Sequence, residues 1–278
     1  MKRGWKFVRG TLIIVVTIIL TTVVINATDN FGNLGDSLVG SVIGVGERSP
    51  CPEQMAYIPT EGGGFCIDLY ENSPGKGCLF SDPQNQEDTR VDLEDSSCFG
   101  VSAEGKQPWT NIARHQAELA CSNAGKRLPT NKEWYLASLG TPDARGNVER
   151  GDCNVSSRTL YNTGSLEKCV SSSGAYDMVG NVWEWVDETV TDGEVFGKDL
   201  PDEGYITSID SNGVPIETDF DLPNLNFNED YLWVDREGTR GIIRGGYYGS
   251  GTDAGQYTLN AITPPSFAGV AVGFRCAQ

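Results

Sequence analysis

The sequence predicts an α+β domain rich in loops, and three observations carry that expectation. Its 34 glycines and 13 prolines interrupt the chain often, while a hydrophobic share of 38% still permits a real core. Two helix signals follow one another in the middle of the chain. Short apolar runs separated by glycines lie on either side of them, as in hairpins.

Taken in order, the chain opens with Lys2, Arg3, Lys6 and Arg9, followed by the apolar run TLIIVVTIILTTVVINA from Thr11 to Ala27. A helix of ~18 residues reaches about 27 Å, just short of the ~30 Å hydrocarbon core. The positive flank predicts that the N-terminus stays inside and the remainder is exported. Residues 1–27 therefore read as a single-pass anchor. Cleavage after Ala27, giving a secreted protein, and pilin-type processing after Gly10 are the alternatives. Residues 28–50, rich in Gly and Ser, read as a stalk.

The domain is expected to span 51–278. Met55 to Glu71 (MAYIPTEGGGFCIDLYE) carries a hairpin signal, and Asn72 to Gly100 reads as a polar loop holding Cys78 and Cys98. Asn111 to Gly125 is the clearest helix, with Ile112, Leu119 and Cys121 near one face and Gly125 as its stop. Thr130 and Glu133 form a capping box for a second helix running through Ser138. Cys153 and Cys169 bracket a further polar loop. Residues 187–241 carry fifteen carboxylates against three basic residues and read as an acidic, irregular surface insertion, with a second cation site as the alternative. Val270 to Ala277 reads as a closing strand.

Charge and cysteine usage bound the function. A net charge of −17 argues against nucleic acid, whose phosphates require clustered Lys and Arg, and against docking on anionic lipid. The eight cysteines all follow the apolar run and lack the C-x-x-C spacing of a zinc site. Disulfides in an oxidising compartment are the expected state.

Four stretches in this order, IPTEGGGFCIDLYE, ACSNAGKRLPTNKEW, GAYDMVGNVWEWV and IIRGGYY with a terminal VGFRCA, resemble the formylglycine-generating enzyme (sulfatase-modifying factor) family. The resemblance runs from Met55 to Ala277 and implies a C-type-lectin-like fold. It also implies a disulfide between Cys121 and Cys276. Local pairing of Cys153 with Cys169 and of Cys78 with Cys98 would leave Cys51 with Cys66, among on the order of a hundred formal pairings.

The family's chemistries find no match. Its oxidases carry two close cysteines after the RGG motif that bind copper, and YYGSGTDAGQYTLNAITPPSF contains none. Its iron-dependent sulfoxide synthases need several histidines, and this chain has only His115. Neither copper nor iron is expected, and the chain reads as a non-enzyme. A structural Ca²⁺ is implied by the resemblance, held by the side chains of Asp177 and Glu184 and the carbonyls of Gly180 and Val182. A second family calcium site matches only at Asn154 and Val155.

The segment in place of the catalytic cysteines, residues 247–267, is rich in Tyr, Ser, Thr, Asp, Asn and Gly, the composition of recognition surfaces. Lying between RGG and a GFR strand, it resembles the variable region of proteins diversified by retroelements. That resemblance implies a displayed binding protein. Its expected ligand residues are Tyr247, Tyr248, Ser250, Thr252, Asp253, Tyr257, Thr258 and Asn260, and its partner an unknown protein or surface ligand. A divergent oxidase acting on exported proteins, and a pilus-tip subunit, are the competing readings.

Overall fold

The computed structural model describes residues 49–143 and 151–278. The expected anchor, and the stalk apart from its last two residues, lie outside the described residues. Among the described residues no helix is long and apolar enough to cross a membrane. Cys51–Gln278 forms one compact unit, and its architecture is α+β.

The chain enters through an antiparallel hairpin, β1 (Met55–Thr60) and β2 (Gly63–Asp68). The hairpin is tied to the C-terminus, because the Cys66 amide donates to the Gln278 carbonyl at 2.9 Å and Gln278 donates back at 2.8 Å. The expected polar loop after it is more ordered than its composition suggests. It contains β3 (Asn72–Pro74), paired with β4 (Gly100–Ser102), and a short helix, α1 (Gln86–Asp92). Asn85 starts α1 by accepting from the amides of Glu87 and Asp88 at 2.9 and 3.0 Å.

Helix α2 (Arg114–Asn123) is three residues shorter at its start than the sequence suggests. Ile112 precedes it, so its side chain is out of helical phase, and Leu119 is exposed. The buried face is instead Gln116, Ala117, Ala120 and Cys121, small enough for the helix to lie close to its neighbours. Gly125 terminates α2 with φ 71°, as its position predicts. Helix α3 (Asn131–Ser138) carries the expected capping box: Thr130 Oγ1 accepts from the Glu133 amide at 3.2 Å, and Glu133 accepts from the Thr130 amide at 2.8 Å. Arg127 adds a two-pronged ion pair to Glu133 at 2.6 Å.

A curled, mostly antiparallel sheet of nine strands organises the rest. Its order is β7-β6-β5-β11-β12-β10-β8-β9, with β13 also pairing β5. The strands are β5 (Trp183–Thr191), β6 (Glu194–Val195), β7 (Lys198–Asp199), β8 (Gly204–Ile209), β9 (Pro215–Asp219), β10 (Tyr231–Val234), β11 (Thr239–Arg244), β12 (Leu259–Ala261) and β13 (Val272–Phe274). Two pairings are parallel, β10 with β12 and β13 with β5.

Residues 187–241 are therefore not an irregular insertion. They contribute much of this sheet, and their Val190, Val195, Leu200, Ile206, Val214 and Leu232 are all buried. On β8 and β10, buried Ile206 and Leu232 alternate with half-buried neighbours, a period of two that the acidic composition hides. One face of the sheet packs on Trp134 of α3, and the other packs Trp185, Ile243 and Phe274 against Trp109 and α2.

All eight cysteines are paired, as Cys51–Cys66, Cys78–Cys98, Cys121–Cys276 and Cys153–Cys169. Four disulfides in one domain point to an oxidising compartment.

Candidate functional site

Strand β11 ends in Arg244, and the chain then turns through Gly245 and Gly246 at φ 88° and 84°. A Cβ on Gly245 would stand 2.7 Å from the Met178 carbonyl, and one on Gly246 would strike Ala254. Glycine is required at both on steric and dihedral grounds. The segment that follows is held by its backbone. The Tyr248 amide donates to the Asn181 carbonyl at 3.0 Å, the Gly251 amide to the Val155 carbonyl at 2.8 Å, and the Tyr247 amide to Ser250 Oγ at 3.0 Å.

The eight expected ligand residues separate into three groups. Tyr247, Tyr248, Ser250, Thr252 and Asp253 are half-buried on one short stretch, and the rings of Tyr247 and Tyr248 meet edge to face at 5.1 Å. Tyr257 is half-buried but packs into the core against Phe227 and Tyr135, at 5.2 and 6.2 Å between ring centres. Thr258 and Asn260 are buried, and the structure removes them from the expected ligand set. Thr258 is inaccessible and donates its hydroxyl to the Asp253 carbonyl at 2.6 Å. Asn260 accepts from the Ile262 amide at 3.1 Å and from Thr263 Oγ1 at 3.2 Å, a turn-forming role. Composition alone does not separate a Thr or Asn that binds a ligand from one that holds the loop.

The loop rests on a buried charged clamp that the sequence leaves unannounced. Asp230 Oδ2 accepts from the amides of Tyr257 at 2.7 Å and Thr258 at 3.1 Å, and Asp143 Oδ2 accepts from the Gln256 amide at 3.3 Å. Arg244 Nη2 donates to the carbonyls of Gln256 and Tyr257 at 3.0 and 3.4 Å, and its guanidinium lies 5.1 Å over the Trp134 ring. A Cβ on Gly255 would collide with both Asp230 oxygens, so this position is fixed as glycine. Burial, and then the Asp143 carboxylate, push the Asp230 carboxyl well above its usual range; burial draws Arg244 down to about 10.

The raised Asp230 carboxyl has a defined consequence for stability. A group whose pKa is higher folded than unfolded stabilises the fold below its unfolded value, near 4, and loses that contribution as pH rises through the folded value. Asp230→Asn keeps an oxygen on the two amides and is expected to flatten this part of the profile of melting temperature against pH. Asp230→Ala orphans two buried N–H groups and is expected to cost about 2–5 kcal/mol in urea unfolding.

A second buried centre lies at the GNVWEW motif. Positive φ at Asp177 (57°), Gly180 (79°) and Asn181 (56°) folds this loop tightly. Glu184 accepts from Arg275 Nε at 2.7 Å and Nη2 at 2.6 Å and from Trp134 Nε1 at 2.7 Å. Glu71 accepts from Asn181 Nδ2 at 2.6 Å and the Val182 amide at 3.2 Å. Burial, and then Asp177 and Glu184, raise Glu71 well above the usual range; Asp177 is pushed up to about 6, chiefly by burial.

This donor set does not fit the expected calcium site of Asp177, Gly180, Val182 and Glu184. Three N–H donors, two of them from the Arg275 guanidinium, already engage the two Glu184 oxygens. Asn154 is likewise used internally, donating to the Thr159 carbonyl and to Asn181 Oδ1, both at 3.0 Å. Elsewhere, Cys78, Asp92 and Cys98 converge with metal-ligand spacing, but the two sulfurs are bonded to each other and offer no thiolate. His115 is exposed on α2.

Residues 69–278 match the Sulfatase-modifying factor enzyme 1-like domain. The chain belongs to this family. The serine/threonine-protein kinase pkn1 of Chlamydia caviae is 27% identical over 106 residues, covering 36% of this chain and 17% of that protein. The chain thus spans less than a fifth of that curated relative. Among solved structures, Treponema denticola variable protein 1 shares 17% identity over 83% of this chain and 92% of its own, with a TM-score of 0.46. The Major Tropism Determinant I1 variant shares 16% over 82% of this chain and 53% of its own, with a TM-score of 0.45. The chain spans about half the length of the latter. In this chain the buried Glu184–Arg275 pair joins the GNVWEW and GFR motifs.

Proposed function

We propose that this member of the sulfatase-modifying factor family is a non-catalytic binding protein. It would be displayed outside the membrane by residues 1–27, with Tyr247, Tyr248, Ser250, Thr252 and Asp253 as the centre of a diversified recognition surface. Its ligand is a protein or other cell-surface molecule. The observation that carries the reading is the division of labour in the loop. Gly245, Gly246, Gly255 and Thr258 are locked by sterics or hydrogen bonds, while the five side chains lie half-buried on a backbone pinned to residues 155 and 181. Apart from Ser250, whose Oγ accepts from the Tyr247 amide, such an arrangement tolerates side-chain change at little cost to the fold. The pairing of every cysteine supports the non-enzyme reading, since copper oxidation in the family uses thiolates.

The full chain, probed against panels of purified surface proteins and glycans, is expected to capture a ligand. Tyr247→Ala with Tyr248→Ala should weaken that capture about tenfold or more, as for aromatic anchors in other interfaces. Unchanged capture contradicts the proposed surface. Conversion of a sulfatase-type Cys peptide to its aldehyde, with copper and oxygen supplied, contradicts the absence of catalysis.

A further inference from the structure

We propose that the ligand presents a Lys- or Arg-bearing protein segment, seated on an aromatic row formed by Tyr205, Tyr231 and Trp233 beside the carboxylate of Glu203. The inference rests on the recognition reading above and extends the site from the loop onto the adjoining sheet.

The row follows from strand alternation. On β8 and β10, Ile206 and Leu232 point into the core shared with α3 and are fully buried. Their neighbours Tyr205, Tyr231 and Trp233 therefore point to the opposite face, where they are half-buried. Tyr205 stands directly opposite Tyr231 in the ladder. The rings touch in sequence: Tyr205 to Tyr231 at 5.2 Å, Tyr231 to Trp233 at 4.8 Å, and Trp233 to Trp183 at 5.8 Å. Trp183, Trp233 and Tyr247 belong to one packed cluster, so the row runs into the recognition loop.

Charge selects the occupant. The Tyr231 hydroxyl donates to Glu203 Oε1 at 3.4 Å. Burial raises the Tyr231 phenol, and the Glu203 carboxylate to which it is bonded pushes it further. The arginines of the neighbouring β10–β11 turn are already engaged, Arg236 with Asp202 at 3.0 Å and Arg240 with Asp235 at 2.5 Å. Aromatic faces edged by unneutralised carboxylates attract ammonium and guanidinium groups through ring quadrupole and charge together. A neutral glycan would stack on the rings and could donate hydroxyls to the carboxylate but gains no charge attraction from it, and a phosphate-bearing ligand would be repelled.

The test titrates the full chain with matched peptides carrying Lys and Arg, Gln, or Glu at the same positions, and with a neutral glucan, reading tryptophan fluorescence and calorimetry. The basic peptide is expected to bind best. Trp233→Ala or Tyr231→Ala should weaken it about tenfold, within the range of cation–π contacts, and Tyr231→Phe should recover most of what Tyr231→Ala loses. Glu203→Gln should weaken it a few-fold. Glu61→Gln, an exposed acid in the β1–β2 turn, should leave it unchanged.

Equal binding of the glucan, or a basic peptide indifferent to Trp233→Ala and Tyr231→Ala, overturns the inference. So does an effect of Glu61→Gln as large as that of Glu203→Gln, which would mark bulk charge. If Tyr247→Ala with Tyr248→Ala abolishes capture of a panel ligand while the row variants do not, the recognition loop stands and this extension alone falls.

Discussion

Replacing both Cys121 and Cys276 with Ala is expected to lower the unfolding free energy by about 5 kcal/mol, the largest loss from any one of the four disulfides. The bond closes a loop of 155 residues, against 15, 20 and 16 for the others. In the chain-entropy description, constraint of the unfolded chain grows with the logarithm of loop length, so a short loop contributes only about 3 kcal/mol. The structure adds a reason for native-state sensitivity. Cys121 lies on the buried Ala-rich face of α2, and Cys276 follows β13, which pairs in parallel with β5 at the centre of the sheet. Opening the bond therefore loosens the sheet next to the recognition loop. Urea unfolding under non-reducing conditions checks the value, and a loss no greater than that from opening Cys153–Cys169 contradicts it.

Arg275→Met is expected to cost about 3–5 kcal/mol, because it leaves Glu184 charged and unpaired in the interior. Both partners are inaccessible, and Glu71 and Asp177 add two more carboxyls to the same buried site. Arg275 also donates to the carbonyls of Asp68 at 3.0 Å and Tyr176 at 2.8 Å, so its loss unties the entry hairpin as well. Combining Arg275→Met with Glu184→Gln should recover much of the loss, since the double variant carries no unpaired charge. A double variant as unstable as the single one would assign the effect to packing and the lost carbonyl bonds. Equilibrium denaturation of the three proteins distinguishes these results.

Much of this architecture is legible in the residues, for reasons that can be named. Thr130 with Glu133 and the stop at Gly125 are local signals, and local chemistry decides them in the structure too. The helix-forming Asn85 with acids at 87 and 88 is a similar signal within an otherwise polar stretch, and it marks α1. The sheet strands in residues 187–241 are harder to read. Most are short, their outward positions mix acids with Tyr205, Tyr231 and Trp233, and β5, β11 and β12 come together only through distant pairings such as Ile243 with Asn260. Leu119 shows the limit of periodicity on a single short helix, where the buried face belongs to alanines.

The site divides in the same way. The Gly245–Gly246 turn and the aromatic vocabulary of the loop are visible in the sequence. The clamp of Asp143, Asp230 and Arg244 is not, because its members lie as much as 101 positions apart, as their numbering shows, and meet only around the backbone of residues 256–258. Thr258 and Asn260 belong to that support, although their residue types match those of the surface. Glu184 has the character of a metal ligand in sequence, and only its approach to Arg275, 91 positions away, shows a partner of the opposite charge.

The recognition reading meets its most direct test in sequencing the C-terminal coding region from many descendants of one clone, with the adjoining DNA. The expected result is substitution concentrated at Tyr247, Tyr248, Ser250, Thr252 and Asp253, with Arg244, Gly245, Gly246, Gly255 and Thr258 constant. A reverse transcriptase gene and a near-copy of this stretch differing at adenines should lie nearby. A uniform population with no such neighbour, or substitutions falling equally on Gly255 and Thr258, would contradict a fixed support carrying a variable surface.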